Sequence, residues 1–257
     1  MSARKPVVVI AGASKGIGLA VASILLKQLD ATVVALSRTI SPELRDLASD
    51  DLLTIQCDVS NEAELTNAIK HGRDKFKYID GLVLSAGALE PLCRIGDDTP
   101  LSSWKDHFEV NFFSLVTAVR ATLPALRNSE LGGRIVFVSS GAAVKGTAGW
   151  GPYNASKAAM NSLCRTLAEE EPDVTSIALR PGTVDTAMQQ AIRDLGGKHM
   201  TQSDHQKFIR LHTDKILLRP EIPGHVIAAL VLRAPKALSG QFVNWDDECC
   251  EDFRSEK

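Results

Sequence analysis

Two side chains of complementary chemistry stand four positions apart in this sequence, at Tyr153 and Lys157. On a helix, residues at this spacing lie on one face, one turn from each other. A phenol has an ordinary pKa near 10, and an ammonium group about 4 Å away lowers that pKa by roughly three units. Ser139 and Ser140 end an apolar run shortly before the pair and supply hydroxyl donors. The pattern predicts a general acid that gives its proton to a substrate oxygen.

A glycine-rich segment near the start of the chain indicates a phosphate site. Its glycines are spaced G-x-x-x-G-x-G, directly after an apolar β-branched run and directly before a helical pattern. Glycine allows a tight turn and close approach of a ligand, and a helix N-terminus attracts a pyrophosphate. A glycine-rich turn that binds nothing is the alternative. The predicted cofactor-binding residues of this turn are Gly12, Ser14, Lys15, Gly16, Ile17 and Gly18.

The end of the second apolar run predicts which nicotinamide cofactor is used. An acidic residue about twenty positions past the glycines would bind the ribose hydroxyl of NAD. This segment instead reads Leu36-Ser37-Arg38, without a carboxylate. Arg38 can pair with a 2′-phosphate, Ser37 can donate to it, and Lys15 can add a second positive charge. The segment therefore predicts NADPH, with a solvated Arg38 as the alternative.

Short apolar runs alternate along the chain with longer amphipathic stretches. The predicted strands cover 6–11, 31–36, 52–56, 80–84, 134–138 and 175–179. The predicted helices cover 16–28, 61–75, 103–128 with a bend near Pro124, and 153–170. This alternation predicts an α/β fold of the Rossmann type, with a doubly wound parallel sheet in three layers and one domain over 1–257. The polar segment at about 187–215 is predicted to be a substrate lid, with a plain surface helix pair as the alternative.

Composition excludes several classes of function. Among the 257 residues, 44% are hydrophobic, the net charge is −2 and the pI is near 6.3, so no basic footprint for nucleic acid or an acidic membrane exists. The five cysteines form no CxxC pair, and no histidine stands in a metal-ligand spacing, so no metal site is expected. No apolar stretch reaches the length of a membrane span, and a cytoplasmic location is expected.

Taken together, these segments resemble the short-chain dehydrogenase/reductase family over nearly the whole chain. Two departures stand out: Ser85 replaces a family asparagine, and Ala11 stands where threonine is frequent. The matching segments are Gly12-Ala13-Ser14-Lys15-Gly16-Ile17-Gly18, Asp58-Val59, Ser85-Ala86-Gly87, Asn111, Ser139-Ser140, Tyr153 with Lys157, and Pro181-Gly182-Thr183-Val184-Asp185-Thr186.

The resemblance implies roles for individual residues. The implied catalytic set is Asn111, Ser140, Tyr153 and Lys157, with Ser140 preferred to Ser139 because it lies thirteen positions before the tyrosine. Besides the glycine turn, Ser37 and Arg38, the implied cofactor contacts are Asp58, Val59, Ser85, Ala86, Gly87, Asn111, Tyr153, Lys157, Pro181, Gly182, Val184 and Thr186.

The segments 181–189 and 238–246 resemble the sepiapterin-reductase and benzil-reductase branch of the family. This resemblance implies an enzyme that reduces a ketone or diketone of a small molecule with NADPH, working as a homodimer or homotetramer. NADP-dependent alcohol oxidation and a non-catalytic NADPH-binding regulator remain the alternatives. Met188 and Leu195 of the lid are expected to form an apolar wall, and Trp150 is a candidate for lining the substrate pocket. The histidines are expected to serve packing.

Overall fold

Seven parallel strands form the central sheet of the structure, a computed structural model that describes residues 4–255. They lie side by side in the order β3-β2-β1-β4-β5-β6-β7, so the chain first winds outwards from β1 on one side and then from β4 on the other. This topology confirms the predicted doubly wound sheet. The strands are β1 (Val7–Ala11), β2 (Thr32–Ser37), β3 (Leu52–Gln56), β4 (Gly81–Leu84), β5 (Gly133–Val138), β6 (Val174–Arg180) and β7 (Phe242–Asn244).

Helices cover both faces of the sheet, because neighbouring residues of a strand point to opposite sides. Val8 and Ile10 pack in a core with α1 and α9, whereas Val7 and Val9 pack in a second core with α3, α5 and α6. The predicted three-layer architecture is therefore confirmed. The helices are α1 (Gly16–Lys27), α2 (Pro42–Arg45), α3 (Glu62–Phe76), α4 (Leu101–Phe108), α5 (Ser114–Leu126), α6 (Gly151–Glu170), α7 (Ala187–Leu195), α8 (Gln202–Thr213) and α9 (Glu221–Arg233).

The long helix predicted over 103–128 differs from the structure in where it is interrupted. A turn of π-helix, Glu109–Phe113, separates α4 from α5, whereas Pro124 lies inside α5. Asn111 sits in this wide turn, and its side-chain amide accepts from the backbone N–H of Ala88 and donates to the Ala88 carbonyl. The helix is thus interrupted where Asn111 contacts the loop after β4, and not near Pro124, where the bend was predicted.

The outermost residues of the predicted domain, 1–3 and 256–257, lie outside the described residues. Among the helices of 4–255, none is both long and apolar enough to cross a membrane. In the same part of the chain, no three His, Cys, Asp or Glu side chains are grouped so that they could hold a metal ion.

Asp80 directly precedes β4 and binds neighbouring segments at the amino-terminal edge of the sheet. Its buried carboxylate accepts two hydrogen bonds from Arg4, at 2.7 and 2.8 Å, and others from the Val7 backbone and the Ser129 hydroxyl. Burial raises the pKa of Asp80, but these hydrogen bonds together hold it below its ordinary value. The carboxylate therefore stabilises the folded chain as long as it stays ionised.

We expect Asp80→Asn to lower the free energy of unfolding by about 3 kcal/mol at pH 7, because Arg4 loses its buried partner. Since the folded pKa lies below the unfolded one, the contribution of Asp80 is complete above the ordinary aspartate pKa and fades as the pH falls below it. Urea unfolding at pH 7 and near pH 3 measures both effects. Asp74→Asn, which removes an exposed ion pair with Arg73, is the control and should change little. A pH-independent loss in Asp80→Asn would contradict this account.

Candidate active site

The predicted site residues, which are far apart in sequence, meet at the carboxyl edge of the sheet where the strand order reverses. A Cβ atom at Gly12 would lie 2.5 Å from the Ala86 backbone nitrogen, so the turns after β1 and β4 are in contact. A Cβ at Gly87 would lie 3.6 Å from Asn111 Oδ1 and 4.0 Å from Lys157 Nζ. In an open α/β sheet this crevice is where ligands bind.

The glycine turn after β1 has the shape of a phosphate cradle. Gly12 and Gly16 have φ angles of +89° and +56°, and a Cβ at Gly18 would lie 2.0 Å from the Gly12 carbonyl oxygen. Only glycine fits these positions. The first turn of α1 contains no acidic residue, and its N-cap residue Lys15 makes no side-chain capping bond. The free N–H groups of α1 and the exposed Lys15 therefore suit a pyrophosphate.

Arg38 follows β2 as an exposed cation on the same edge of the sheet. Hydrogen bonds from Ser60 lower the pKa of Asp58, and the nearby Arg38 guanidinium lowers it further. Ser37, in contrast, is buried and its hydroxyl donates to the Thr39 carbonyl at 2.8 Å. Arg38 is thus the residue of the predicted Ser37-Arg38 pair that presents its polar group to solvent.

The remaining predicted cofactor contacts lie on neighbouring loops. Val59 is buried in the core between the sheet and α3, and the Ser85 backbone N–H continues the ladder to Ala11. The turn after β6 holds Gly182 at a φ of +79°. Thr186 caps α7 and also lies within 3.2 Å of the Cβ position of Gly16, so the start of the predicted lid touches the phosphate turn.

Tyr153 and Lys157 share one face of α6 and are both buried, at 7% and 4% exposure. The Lys157 ammonium donates to the Val138 carbonyl at 2.8 Å and lies 5.8 Å from the centre of the Tyr153 ring. Burial raises the pKa of Tyr153, whereas a hydrogen bond with Ser140 lowers it. The predicted lowering of the phenol pKa by a lysine at 4 Å is therefore wrong for this arrangement, because Lys157 turns to Val138 and burial dominates.

The two serines after β5 have different surroundings. Ser139 is buried and donates to the Asn161 side chain at 2.6 Å, which directs it into the core. Ser140 accepts from the Ala142 backbone and lies at the Tyr153 hydroxyl. Of the pair, Ser140 is thus the hydroxyl beside the phenol.

His107 lies within the candidate site, whereas the sequence predicts that the histidines serve packing. It is 2% exposed, and its Nε2 atom lies 2.9 Å from Asn111 Nδ2 and 3.1 Å from Ser156 Oγ. An amide NH₂ can only donate, so Nε2 accepts, and Nδ1 carries the proton that is donated to the Glu90 carbonyl at 2.8 Å. Burial lowers the pKa of His107, and Lys157 lowers it further, which keeps this ring neutral. Its spacing of four residues before Asn111 was the one signal in the sequence.

An apolar cluster covers Tyr153 on the side of the predicted lid. Trp150 packs edge-on against Tyr153 at 5.6 Å between ring centres and stacks on Phe208 of α8 at 5.4 Å. Met188 packs against this cluster as expected, but Leu195 is 46% exposed and does not form part of the wall. The buried members of the cluster are Leu89, Leu92, Ala142, Trp150, Tyr153, Ile192 and Met200.

Burial lowers the pKa of Lys157 to about 7, well below the ordinary value of a lysine in an unfolded chain. As the pH falls from the pKa of the unfolded state to that of the folded state, the folded chain loses up to about 1.4 kcal/mol of stability for each pH unit. Below the folded pKa, the loss stays constant. Lys157→Met removes this penalty, so it should stabilise the chain by up to about 3 kcal/mol more at pH 6 than at pH 9.

Urea unfolding of the unliganded protein at the two pH values measures this difference. Methionine leaves the Val138 carbonyl without its donor, but that loss is the same at both pH values. Lys70→Met, on the exposed face of α3, is the matched control and should show no pH-dependent gain. An equal effect of Lys157→Met at pH 6 and pH 9 would contradict a buried, titrating Lys157.

Relatives of known sequence span nearly the whole chain. The model of the short chain dehydrogenase family matches residues 6–195. An uncharacterized oxidoreductase of Schizosaccharomyces pombe is 41% identical over 245 residues, which are 93% of this chain and 96% of that protein. A Saccharomyces cerevisiae protein, benzil reductase ((S)-benzoin forming), is 37% identical over 253 residues, which are 94% of this chain and 96% of its own length.

The fold agrees with these sequence matches. The crystal structure of a short chain dehydrogenase/reductase from Saccharomyces cerevisiae superposes with a TM-score of 0.91 at 33% identity, covering 97% of this chain and 100% of the other. The segment matched by the family model, residues 6–195, spans both the glycine turn and the Tyr153–Lys157 pair. The chain therefore belongs to the short chain dehydrogenase family of nicotinamide-dependent oxidoreductases.

Proposed function

We propose that this protein reduces a ketone or diketone carbonyl of a small molecule to an alcohol, with NADPH as the reductant. The observation that carries the proposal is the position of Tyr153, which is buried at the carboxyl edge of the sheet, near Lys157 and within an apolar cluster. Such a site offers two hydroxyl donors to one oxygen and an apolar wall to the rest of the substrate. The benzil reductase relative, which is named for a diketone, supports this choice of substrate.

In the proposed mechanism, the glycine turn, Arg38 and Lys157 would hold the cofactor, which would supply a hydride for the carbonyl carbon. Tyr153 donates its proton to the carbonyl oxygen, and Ser140 donates a second hydrogen bond that stabilises the charge developing there. Lys157, whose ammonium donates to the Val138 carbonyl and lies 5.8 Å from the centre of the Tyr153 ring, would hold the cofactor ribose. Asn111, fixed by Ala88 and His107, keeps the wide turn between α4 and α5 in place beside Lys157.

The preference for NADPH rests on the charge around the end of β2. Arg38 is exposed there, and Lys15 adds a second exposed cation in the glycine turn. A guanidinium forms paired hydrogen bonds with a phosphate, and no carboxylate stands at the position that would bind a free ribose hydroxyl. These two cations are the groups that we expect to hold the 2′-phosphate.

We also propose a reducing compartment, such as the cytoplasm, and assembly into a homodimer or homotetramer. All five cysteines have free thiols, which supports the compartment. The helices after β4 and β5 are those through which members of this family are expected to pair. Phe113, the last residue of the π-helical turn between α4 and α5, is 49% exposed and supports a covered surface there.

We expect Tyr153→Phe to lower kcat by at least about 100-fold with any ketone that the wild type reduces, because the proton donor is lost. Binding of NADPH, followed by its fluorescence, should stay within a few fold of the wild type. The sequence has one other tyrosine, Tyr78, which is exposed, so Tyr78→Phe is the matched control and should retain activity. Substantial turnover by Tyr153→Phe would refute the role of this residue.

Arg38→Asp should lower kcat/KM for NADPH by about 100-fold and improve the relative use of NADH, because a carboxylate repels the phosphate and accepts from a ribose hydroxyl. Steady-state assays with each cofactor give the ratio of the two specificity constants. Arg45→Asp places the same charge change on an exposed residue of α2 and should leave that ratio unaltered. An unaltered ratio in Arg38→Asp would remove Arg38 from the cofactor site.

A further inference from the structure

The Trp150 indole carries a polar atom that the apolar cluster does not satisfy. Trp150 is the residue before α6, three positions before Tyr153, and is 7% exposed. Its Nε1 atom is buried and has no hydrogen-bond partner. An indole nitrogen can only donate, and a buried donor without an acceptor costs free energy. Phenylalanine would fill an aromatic position without that cost. The N–H group of Trp150 is therefore expected to have an acceptor that is not part of the protein.

The surroundings of the indole show which ligand atom would suit it. Its ring contacts Tyr153 on one side and Phe208 on the other, so the indole lies directly beside the proposed proton donor. Gln189, in the same region, also has an unpaired buried atom, but Oε1 is an acceptor and its Nε2 already donates to the Phe208 carbonyl. Unlike Gln189 Oε1, the Trp150 indole N–H beside Tyr153 can donate to a second oxygen of a substrate.

We propose that Trp150 Nε1 donates a hydrogen bond to the second carbonyl oxygen of a vicinal diketone, whose first carbonyl oxygen is bound by Ser140 and Tyr153. This inference rests on the proposed carbonyl reduction. Two donors on adjacent aromatic side chains match two acceptor oxygens on adjacent carbon atoms, while the apolar cluster contacts the hydrocarbon substituents. Trp150 is therefore a specificity-determining residue that favours diketones over monoketones of the same shape.

The experiment compares benzil with the monoketone in which one of its two carbonyls is replaced by CH₂. For each compound, kcat/KM is measured with NADPH in the wild type and in Trp150→Phe, which keeps an aromatic ring but removes the donor. Both values fall somewhat because the smaller ring packs less well. The ratio of kcat/KM for diketone over monoketone should fall at least about tenfold, because only the diketone loses a hydrogen bond.

Trp104→Phe is the matched control. Trp104 lies on α4 beside Gly151 and is outside the apolar cluster over Tyr153. The same substitution there should leave the diketone-to-monoketone ratio within about twofold of the wild type. Using a ratio removes the greater intrinsic reactivity of the diketone, which is the same for every variant.

A second readout does not depend on turnover. The chain has three tryptophans, so ¹⁵N-labelled protein gives three indole N–H resonances, and the one that Trp150→Phe lacks belongs to Trp150. In the wild type loaded with NADP⁺, that resonance should move downfield on addition of benzil and stay in place with the monoketone. If Trp150→Phe does not fold, the spectra of Trp104→Phe and Trp245→Phe assign the other two resonances, and the Trp150 resonance follows by elimination.

Two results would overturn the proposal: a diketone-to-monoketone ratio that Trp150→Phe leaves unchanged, or a Trp150 resonance that both ketones shift equally. In either case, reduction of both compounds by the wild type would leave the proposed function intact. A wild type that reduces neither compound would contradict the proposed function itself, whereas the resonance titration would still test Trp150 as a donor to the diketone.

Discussion

The site depends on a single buried cation. Lys157 is 4% exposed, and its hydrogen bond to the Val138 carbonyl ties the first turns of α6 to the end of β5. A buried ammonium is unfavourable, and burial lowers its pKa to about 7. The chain tolerates this because the same contact fixes Tyr153, one turn earlier on α6, beside Ser140 at the end of β5. The geometry of proton donation is thus obtained at a cost in stability.

The glycines explain how the other half of the site reaches this pair. Gly12 lets the turn after β1 contact the backbone of Ala86, and Gly87 lies beside both Asn111 and Lys157 after the end of β4. A side chain at Gly12 would separate two loops that must close around one ligand. The sheet therefore supplies rigid strand ends, and the absence of Cβ atoms supplies the space between them.

The sequence predicted those residues whose arrangement depends on spacing within one turn or helix. It did not predict those whose arrangement depends on contacts between distant segments. Glycine spacing and the four-residue interval of Tyr153 and Lys157 act within one turn or helix, so the fold class and the shared helix face of this pair followed from them. The π-helical turn at Asn111 depends on Ala88, and the role of His107 depends on burial against α6, so neither left a periodic signal. β7 has only three residues, which is too short for any strand pattern. The direction of the Tyr153 pKa shift also required the structure, since spacing fixes which groups are close but not where the Lys157 ammonium points.

The same distinction holds between the residues proposed for the reaction, which local motifs predict, and the residues proposed to contact the substrate, which depend on tertiary contacts. The groups that we propose to move the proton lie at strand ends and on the first turns of α6, where motifs constrain them. The wall around the substrate combines Leu92 from the loop after β4, Trp150 before α6, and Phe208 from α8, three segments that no common motif links. None of the three takes part in the hydrogen bond between Lys157 and Val138. The preferred ketone can therefore differ between proteins that share the same catalytic residues. For this reason, the unpaired N–H donor of Trp150 says more about the substrate than any residue of the catalytic set does.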